Sequence, residues 1–315
     1  MKRRMKKVIF WVLGIAIGLP LAIIVTAFAS FSVMDKTNGS MVSSGVTRRY
    51  LLHVPKTYDR LKPTPLVISF HPAATWAAVE MNTSRWNELA EQHGFIVVYP
   101  NGSGAFFGGF TAGPHIWPAG RQTLPRDVRF ISELIDKLEA EYNIDANAIY
   151  ADGISNGGGM AFALSCNLSD RIAAVGAVAA AQPGDWHCRD SRPVPTLAFH
   201  GTADKFAPYL GGQSSVSPTP LANIPDWTAH VAEHNQCKGS PVETRVSPHV
   251  RRLAYTNCAA DVVLYTIEGG GHTWPSGGKP YPEWIIGKTT DEINASTLLW
   301  EFYMQHPRGA KSLKD

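Results

Sequence analysis

The pentapeptide Gly153–Gly157 (GISNG) constrains the fold of this 315-residue chain more than any other segment. It follows the apolar run 148–151 and precedes a helix-like segment. The pattern Gly-x-Ser-x-Gly between a strand and a helix is typical of a nucleophile elbow, a sharp turn that holds a serine in strained backbone geometry. Small residues two positions to either side keep the strand and the helix from colliding. We therefore expect Ser155 to follow a strand, with its hydroxyl accessible to a base.

Apolar runs alternate with helix-like segments from residue 46 onward. The segment Arg126–Tyr142, for example, places apolar residues at the i, i+3, i+4, i+7 spacing of a helix. Near-continuous apolar strands between amphipathic helices indicate a parallel sheet that is covered on both faces. We predict an α/β fold with a mostly parallel, doubly wound sheet, in which ligands bind beyond the carboxyl ends of the strands. The predicted strands include an edge strand at 49–54 and the runs 66–71, 95–99, 148–151, 173–180, 196–200 and 262–267, and a further helix is predicted at 84–93.

The N-terminus has the pattern of an export signal. Five of the first seven residues are basic, and an uncharged run follows from Val8 to Met34. This run is either a signal peptide with the cleavage site Ala27–Ala29 or an uncleaved membrane anchor. The basic cluster stays on the cytoplasmic side in both cases, so the rest of the chain is expected to be secreted, periplasmic or membrane-anchored outside the cytoplasm. We divide the chain into this segment (1–29), a polar linker (30–45) and a catalytic α/β domain (46–315).

The charge balance argues against nucleic acid as a partner. The formal net charge is +3, and it becomes −2 without the five N-terminal basic residues. No basic surface for nucleic acid is expected after that subtraction. Contact with a membrane is expected only through the N-terminal segment.

The four cysteines, at 166, 188, 237 and 258, suggest two disulfides in an exported chain. Three pairings are possible. We favour Cys166–Cys188 and Cys237–Cys258, because each closes a loop of about 20 residues, worth roughly 3 kcal/mol in the chain-entropy picture. No CxxC spacing occurs, so no metal site is expected.

The candidates for acid and base follow two later strands. A serine nucleophile needs a neighbouring base, which in turn needs an orienting acid, and α/β-hydrolases present them in the order Ser, Asp or Glu, His. Asp204 lies just past the strand 196–200, and His272 follows the strand 262–267 after three glycines. We predict Ser155 as nucleophile, His272 as base and Asp204 as acid. The weaker rivals for the acid are Asp226, Asp261 and Asp291.

Two backbone amides are expected to form an oxyanion hole. The first is that of Asn156, directly after the nucleophile at the start of a helix. The second should come from the loop after the strand 66–71. Pro72 has no N–H, so we choose Ala73.

Aromatic residues in the long irregular segments 102–125 and 207–225, together with Trp274, suggest a substrate cleft, because loops of this length are usually functional or disordered. The alternative for each aromatic residue is ordinary core packing. The candidate substrate-binding residues are Trp274, Trp117, Phe106, Phe110 and Tyr209.

Three segments resemble one esterase family. These are 155–160 (SNGGGM), 200–204 (HGTAD) and 271–275 (GHTWP), and the chain from about residue 46 onward is similar to the polyhydroxybutyrate depolymerase-like esterases. That family is related to the feruloyl and acetylxylan esterases of carbohydrate esterase family 1. The resemblance implies an α/β-hydrolase fold and an exported serine esterase without a cofactor. It also implies the same nucleophile, acid and base, together with the pairing Cys237–Cys258.

The chain departs from the family pattern at two dipeptides. It has His71-Pro72 where His-Gly is usual, and Arg126-Asp127 where paired acids are usual. The first departure lies in the loop expected to supply an oxyanion donor.

The expected partner is a small-molecule or polymer ester of the hydroxyalkanoate, feruloyl or acetyl-polysaccharide type. A peptidase or thioesterase on the same fold and a non-catalytic binding protein remain alternatives, because a fold does not determine its reaction.

Overall fold

The computed structural model describes residues 36–105, 114–118, 124–182, 188, 191–215 and 217–309. The predicted signal peptide or anchor, 1–29, lies outside these residues. Within the described part of the chain, no helix has both the length and the apolar character needed to cross a bilayer.

Strands and helices alternate through most of the described chain. The strands are β1 (Gly39–Ser43), β2 (Val46–His53), β3 (Thr64–Phe70), β4 (Ile96–Pro100), β5 (Gly104–Ala105), β6 (His115–Ile116), β7 (Ile144–Gly153), β8 (Ala174–Val178), β9 (Thr196–Gly201), β10 (Gly212–Ser214), β11 (Ser217–Leu221), β12 (Gly239–Ser247), β13 (Val250–Thr256) and β14 (Val262–Ile267). The helices are α1 (Ala77–Ser84), α2 (Trp86–His93), α3 (Leu124–Glu141), α4 (Asn156–Asn167), α5 (Ile224–His234), α6 (Glu283–Ile286) and α7 (Ala295–Gln305).

Ten of the described strands form one sheet in the order β1-β2-β4-β3-β7-β8-β9-β14-β13-β12. The strands from β4 to β14 in this order run parallel to one another. The strands β2 and β13 join them antiparallel, and β1 and β12 are the outer strands. This confirms the mostly parallel sheet, whose parallel strands all end at the same edge.

Alternate residues of the central strands enter separate cores on the two faces of the sheet. Val67 and Val97 pack with residues of α2 and α7, whereas Leu66 and Ile96 pack with residues of α3 and α4. The helix α5 packs on a third cluster. Helices therefore cover both faces, as the apolar strand pattern predicts.

Two sequence predictions about elements need correction, and one hairpin was not predicted. Residues 39–43, which their composition assigned to the linker, form the outer strand β1, so β2 is not an edge strand. The predicted helix 84–93 is α2, which begins only at Trp86, because Arg85 has left-handed backbone angles (φ 57°, ψ 26°) that separate it from α1, a helix that the prediction missed. The hairpin of β12 and β13 was missed, because most of its residues are exposed or half-buried and leave no apolar run.

Both predicted disulfides are formed. Cys166 pairs with Cys188 and Cys237 with Cys258, with Cα–Cα distances of 4.9 Å and 3.8 Å. The first links the end of α4 to the segment before β9, and the second links the end of α5 to the turn after β13. The sequential pairing is therefore confirmed.

Removing the second disulfide should destabilise the fold without touching the candidate site. Cys237 and Cys258 are separated by 21 positions, and freeing a loop of that size costs about 3 kcal/mol of unfolding free energy. We expect the Cys237→Ala/Cys258→Ala variant to lose this amount in guanidinium unfolding under oxidising conditions. Under reducing conditions that also open the disulfide in the wild type, the two proteins should unfold together. A loss below about 1 kcal/mol would contradict the assignment of a stabilising cross-link.

Candidate active site

Ser155 lies in a strained turn between β7 and α4. Its backbone angles are φ 58° and ψ −123°, a region that residues with a side chain rarely adopt. Its N–H donates to the Val178 carbonyl at 2.9 Å, and its own carbonyl accepts from Gly159 at 3.0 Å and Ala181 at 3.1 Å. The end of β8 and the segment after it therefore hold the serine in this conformation. The predicted elbow geometry is present.

The glycines around Ser155 are required by close packing. A Cβ atom on Gly157 would overlap the carbonyl oxygen of Phe70 and crowd that of His71, and one on Gly153 would overlap the Phe70 carbonyl. The elbow thus packs directly on the carboxyl end of β3, from which the proposed oxyanion loop begins.

Asp204 and His272 form a hydrogen-bonded pair beyond the ends of β9 and β14. Nδ1 of His272 donates to Oδ2 of Asp204 at 2.7 Å. The other carboxylate oxygen accepts from the amides of Phe206 at 2.8 Å and Ala207 at 2.9 Å. Burial alone would raise the pKa of Asp204, but hydrogen bonds from His200 and His272 outweigh it and lower that pKa below its usual range. The carboxylate therefore stays ionised at neutral pH.

The two loops that carry this pair interlock. The amide of Ala203 donates to the Gly270 carbonyl at 2.9 Å, and a Cβ atom on Gly201 would overlap that same carbonyl oxygen. The amide of His272 donates to the Ile286 carbonyl at 2.6 Å, which ties the histidine loop to α6. The close approach of the two loops requires a glycine at position 201, and these contacts hold the imidazole against the carboxylate.

Ser155, Asp204 and His272 all follow carboxyl ends of parallel strands in the same sheet. The structure joins Asp204 to His272 directly, whereas Oγ of Ser155 makes no hydrogen bond to a described residue. Hydrogen bonds between nucleophile and base are often long without substrate and tighten when it binds.

The two predicted oxyanion donors are available. Among the described residues, neither the Asn156 amide nor the Ala73 amide donates a hydrogen bond to a protein acceptor. Asn156 is the first residue of α4, where the helix dipole favours negative charge. The Pro72 carbonyl accepts the hydroxyl of Thr75 at 2.7 Å, so the loop closes on itself as a compact turn.

The predicted substrate cleft needs correction. Trp274 is 1% exposed and Trp117 is 2% exposed, so both indoles belong to the protein interior and not to a surface that contacts substrate. Tyr209 is half-buried, with its hydroxyl 2.9 Å from Oγ1 of Thr266. The predicted residues Phe106 and Phe110 lie outside the described part of the chain.

Phe206 lies near the site, but it was not among the candidates predicted from the sequence. Its ring lies 5.3 Å from the His272 imidazole, centroid to centroid, and its amide binds Asp204. An aromatic residue two positions after the acid was the available signal. Among the described residues, no cluster of His, Cys, Asp and Glu has the arrangement of a metal site.

Asp127, at the second departure from the family pattern, has a structural role. It forms a buried ion pair with Arg48 at 2.6 Å and accepts the Ser103 hydroxyl at 2.7 Å. The same guanidinium donates to the Asn101 carbonyl at 2.9 Å and lies 3.9 Å from the ring centre of Phe130. These contacts anchor the segment after β4 to α3.

Comparisons with known proteins match the chain to esterases. Residues 48–192 match the family model described as esterase PHB depolymerase. Feruloyl esterase B of Piromyces equi is 32% identical over 239 residues, which are 71% of this chain and 42% of that enzyme. Feruloyl esterase C of Emericella nidulans is 26% identical over 278 residues, which are 85% of this chain and 87% of that enzyme.

A solved structure agrees on the fold. The acetyl xylan esterase from Aspergillus awamori superposes with a TM-score of 0.52 at 15% identity, over 72% of this chain and 89% of that one. Similarity at this level of identity shows the fold alone. Taken with the sequence matches, it shows that the chain has the α/β-hydrolase fold and is an esterase similar to the polyhydroxybutyrate depolymerase-like and feruloyl esterases.

Proposed function

We propose that the protein hydrolyses carboxylic esters with Ser155 as nucleophile, His272 as general base and Asp204 as the acid that orients it. The observation that carries this proposal is the 2.7 Å bond between Asp204 and His272 at the sheet edge where Ser155 occupies its strained turn. An aspartate held by two backbone amides fixes both the position of the imidazole and the nitrogen that carries its proton.

The pairing assigns a role to each atom. Because Nδ1 of His272 donates to Asp204, Nε2 is the nitrogen left to accept the proton of Ser155. Oγ then attacks the ester carbonyl, and the amides of Asn156 and Ala73 bind the oxyanion that forms. Nε2 returns the proton to the alcohol oxygen as the C–O bond breaks. A water molecule, deprotonated by the same nitrogen, then releases the acid from the acyl-enzyme.

The names of the relatives support a substrate class. We propose feruloyl or acetyl esters of polysaccharides, or hydroxyalkanoate oligomers, as substrates. Phe206 beside the imidazole offers apolar surface to the acyl or alcohol group. Trp284 offers further apolar surface. It is 81% exposed and lies two residues before Ile286, whose carbonyl accepts the His272 amide.

We also propose that the catalytic domain works outside the cytoplasm. The two disulfides support this location, because disulfides persist in oxidising compartments. The basic and apolar N-terminus of the sequence supports it as well.

Labelling with a fluorophosphonate, combined with a substrate panel, tests the proposal. We expect mass spectrometry to find one adduct, on Ser155, and none in Ser155→Ala. The panel comprises p-nitrophenyl acetate, methyl ferulate, a hydroxybutyrate trimer and a peptide anilide, and we expect hydrolysis of esters only. Equal labelling of Ser155→Ala, or cleavage of the anilide in preference to the esters, would contradict the proposal.

A further inference from the structure

The side chain of Asn156 is clamped to a neighbouring loop. Its Oδ1 accepts the backbone N–H of Trp117 at 2.7 Å, and its Nδ2 donates to the Trp117 carbonyl at 2.8 Å. These reciprocal bonds hold the first residue of α4 by both polar atoms of its amide. The backbone amide of that residue is one of the two proposed oxyanion donors.

Trp117 also holds the loop of the second donor. Its buried indole N–H donates to the His71 carbonyl at 3.1 Å, and its ring packs edge-on against Phe70 at 5.0 Å between centroids. His71 directly follows β3 and precedes Pro72 and Ala73. One tryptophan therefore contacts both halves of the proposed oxyanion hole, through its backbone on one side and its indole on the other.

The His71 side chain completes the connection. Its Nε2 accepts the Gly102 amide at 3.1 Å, so Nδ1 carries the proton and donates to the Pro72 carbonyl at 2.8 Å. Burial lowers the pKa of His71 to about 3, so the ring stays neutral and keeps this arrangement at working pH. The turn thus remains fixed even though Pro72 has no N–H.

We propose that Trp117 and the Asn156 side chain are positioning residues that set the spacing between the oxyanion donors of Asn156 and Ala73. The proposal rests on the proposed esterase function. It assigns Trp117 to transition-state geometry and not to the substrate cleft predicted from sequence. Because a misplacement of about 1 Å can cost about 10²-fold in rate, loosening either contact should lower kcat.

Two variants test the clamp. Asn156→Ala removes both bonds to Trp117 but leaves the Asn156 backbone, and Trp117→Phe removes the indole N–H but leaves an aromatic ring. We expect each to lower kcat by about 10- to 100-fold on p-nitrophenyl butyrate, with KM changed less than about threefold. We also expect weaker inhibition by a boronic acid that mimics the tetrahedral intermediate, in proportion to the loss in kcat/KM.

Asn235→Ala is the matched control. Asn235 is buried, and its Nδ2 donates to the carbonyls of Val194 at 2.8 Å and Ala260 at 3.2 Å. These two residues precede β9 and β14, at the edge of the sheet opposite to the candidate site. We expect it to lower Tm while kcat and boronic-acid affinity stay at wild-type values. If Asn156→Ala and Trp117→Phe also lower only Tm, the clamp is structural and the inference is wrong. Activity remaining in Ser155→Ala would instead overturn the proposed function itself, so the two failures are distinguishable.

Discussion

Replacing Asp204 with asparagine is expected to lower kcat by about 10⁴-fold while the fold is retained. The carboxylate accepts from Nδ1 of His272 at 2.7 Å, and an amide NH₂ in its place would favour the tautomer with the proton on Nε2. That nitrogen could then no longer take the proton of Ser155. His272→Ala removes the base altogether and is expected to cost about 10⁶-fold. The measurement is kcat and KM on p-nitrophenyl butyrate, with circular dichroism to verify folding.

Asp226→Asn provides the control for this pair. Asp226 was a rival acid candidate, but it lies exposed in the first turn of α5. We expect wild-type kinetics from this variant. If Asp204→Asn retains more than a tenth of the wild-type kcat, the bond to His272 is structural, and a different carboxylate must orient the base.

The candidate site was largely predictable because its signals are local. The glycines flanking Ser155 report the close packing of a strand–turn–helix corner, and the structure shows that contact with the end of β3. Asp204 and His272 each follow an apolar strand, and parallel strands bring their carboxyl ends to one edge of the sheet. Chain order then left few acids to pair with the histidine. Their contact therefore follows from topology, without any knowledge of distances.

The burial and the hydrogen-bond partners of individual side chains were less predictable. Trp117 and Trp274 follow glycine-rich segments and look like surface aromatics, yet both are buried, with their indole N–H groups bonded to the His71 carbonyl and the Ser296 hydroxyl. Such partners come from segments distant in the chain, so no local pattern reveals them. The residues of β1 were predicted as a linker because their sequence is polar. They form a strand because they pair with β2, and this pairing is not visible in the local sequence.

The sequence also does not indicate a buried pair of carboxyl groups next to the turn at Ser155. Asp152 lies on β7, fully buried, and accepts from Ser69 at 2.7 Å, Trp86 at 3.1 Å and Tyr303 at 3.1 Å. Glu80 is buried as well, and its Oε1 lies 3.0 Å from Oγ of the same Ser69. Burial raises the pKa of Asp152 to about 7. Burial, together with the charge of Asp152, raises the pKa of Glu80 well above its usual range.

Stability should therefore fall as the pH rises from about 4 towards 7, and Asp152→Asn should remove the part of this slope that comes from Asp152, while Glu80 keeps its own part. The folded state keeps the Asp152 proton up to about pH 7, whereas the unfolded chain releases it near pH 4, so unfolding becomes easier between these values. The loss expected from Asp152 alone is on the order of 4 kcal/mol between pH 4 and pH 8. Urea unfolding at pH 5, 6, 7 and 8 measures it in the wild type and in Asp152→Asn, where the neutral amide cannot titrate. Asp226→Asn, which removes an exposed carboxylate, should keep the wild-type slope. Parallel profiles for the wild type and Asp152→Asn would show that Asp152 is not held neutral in the fold.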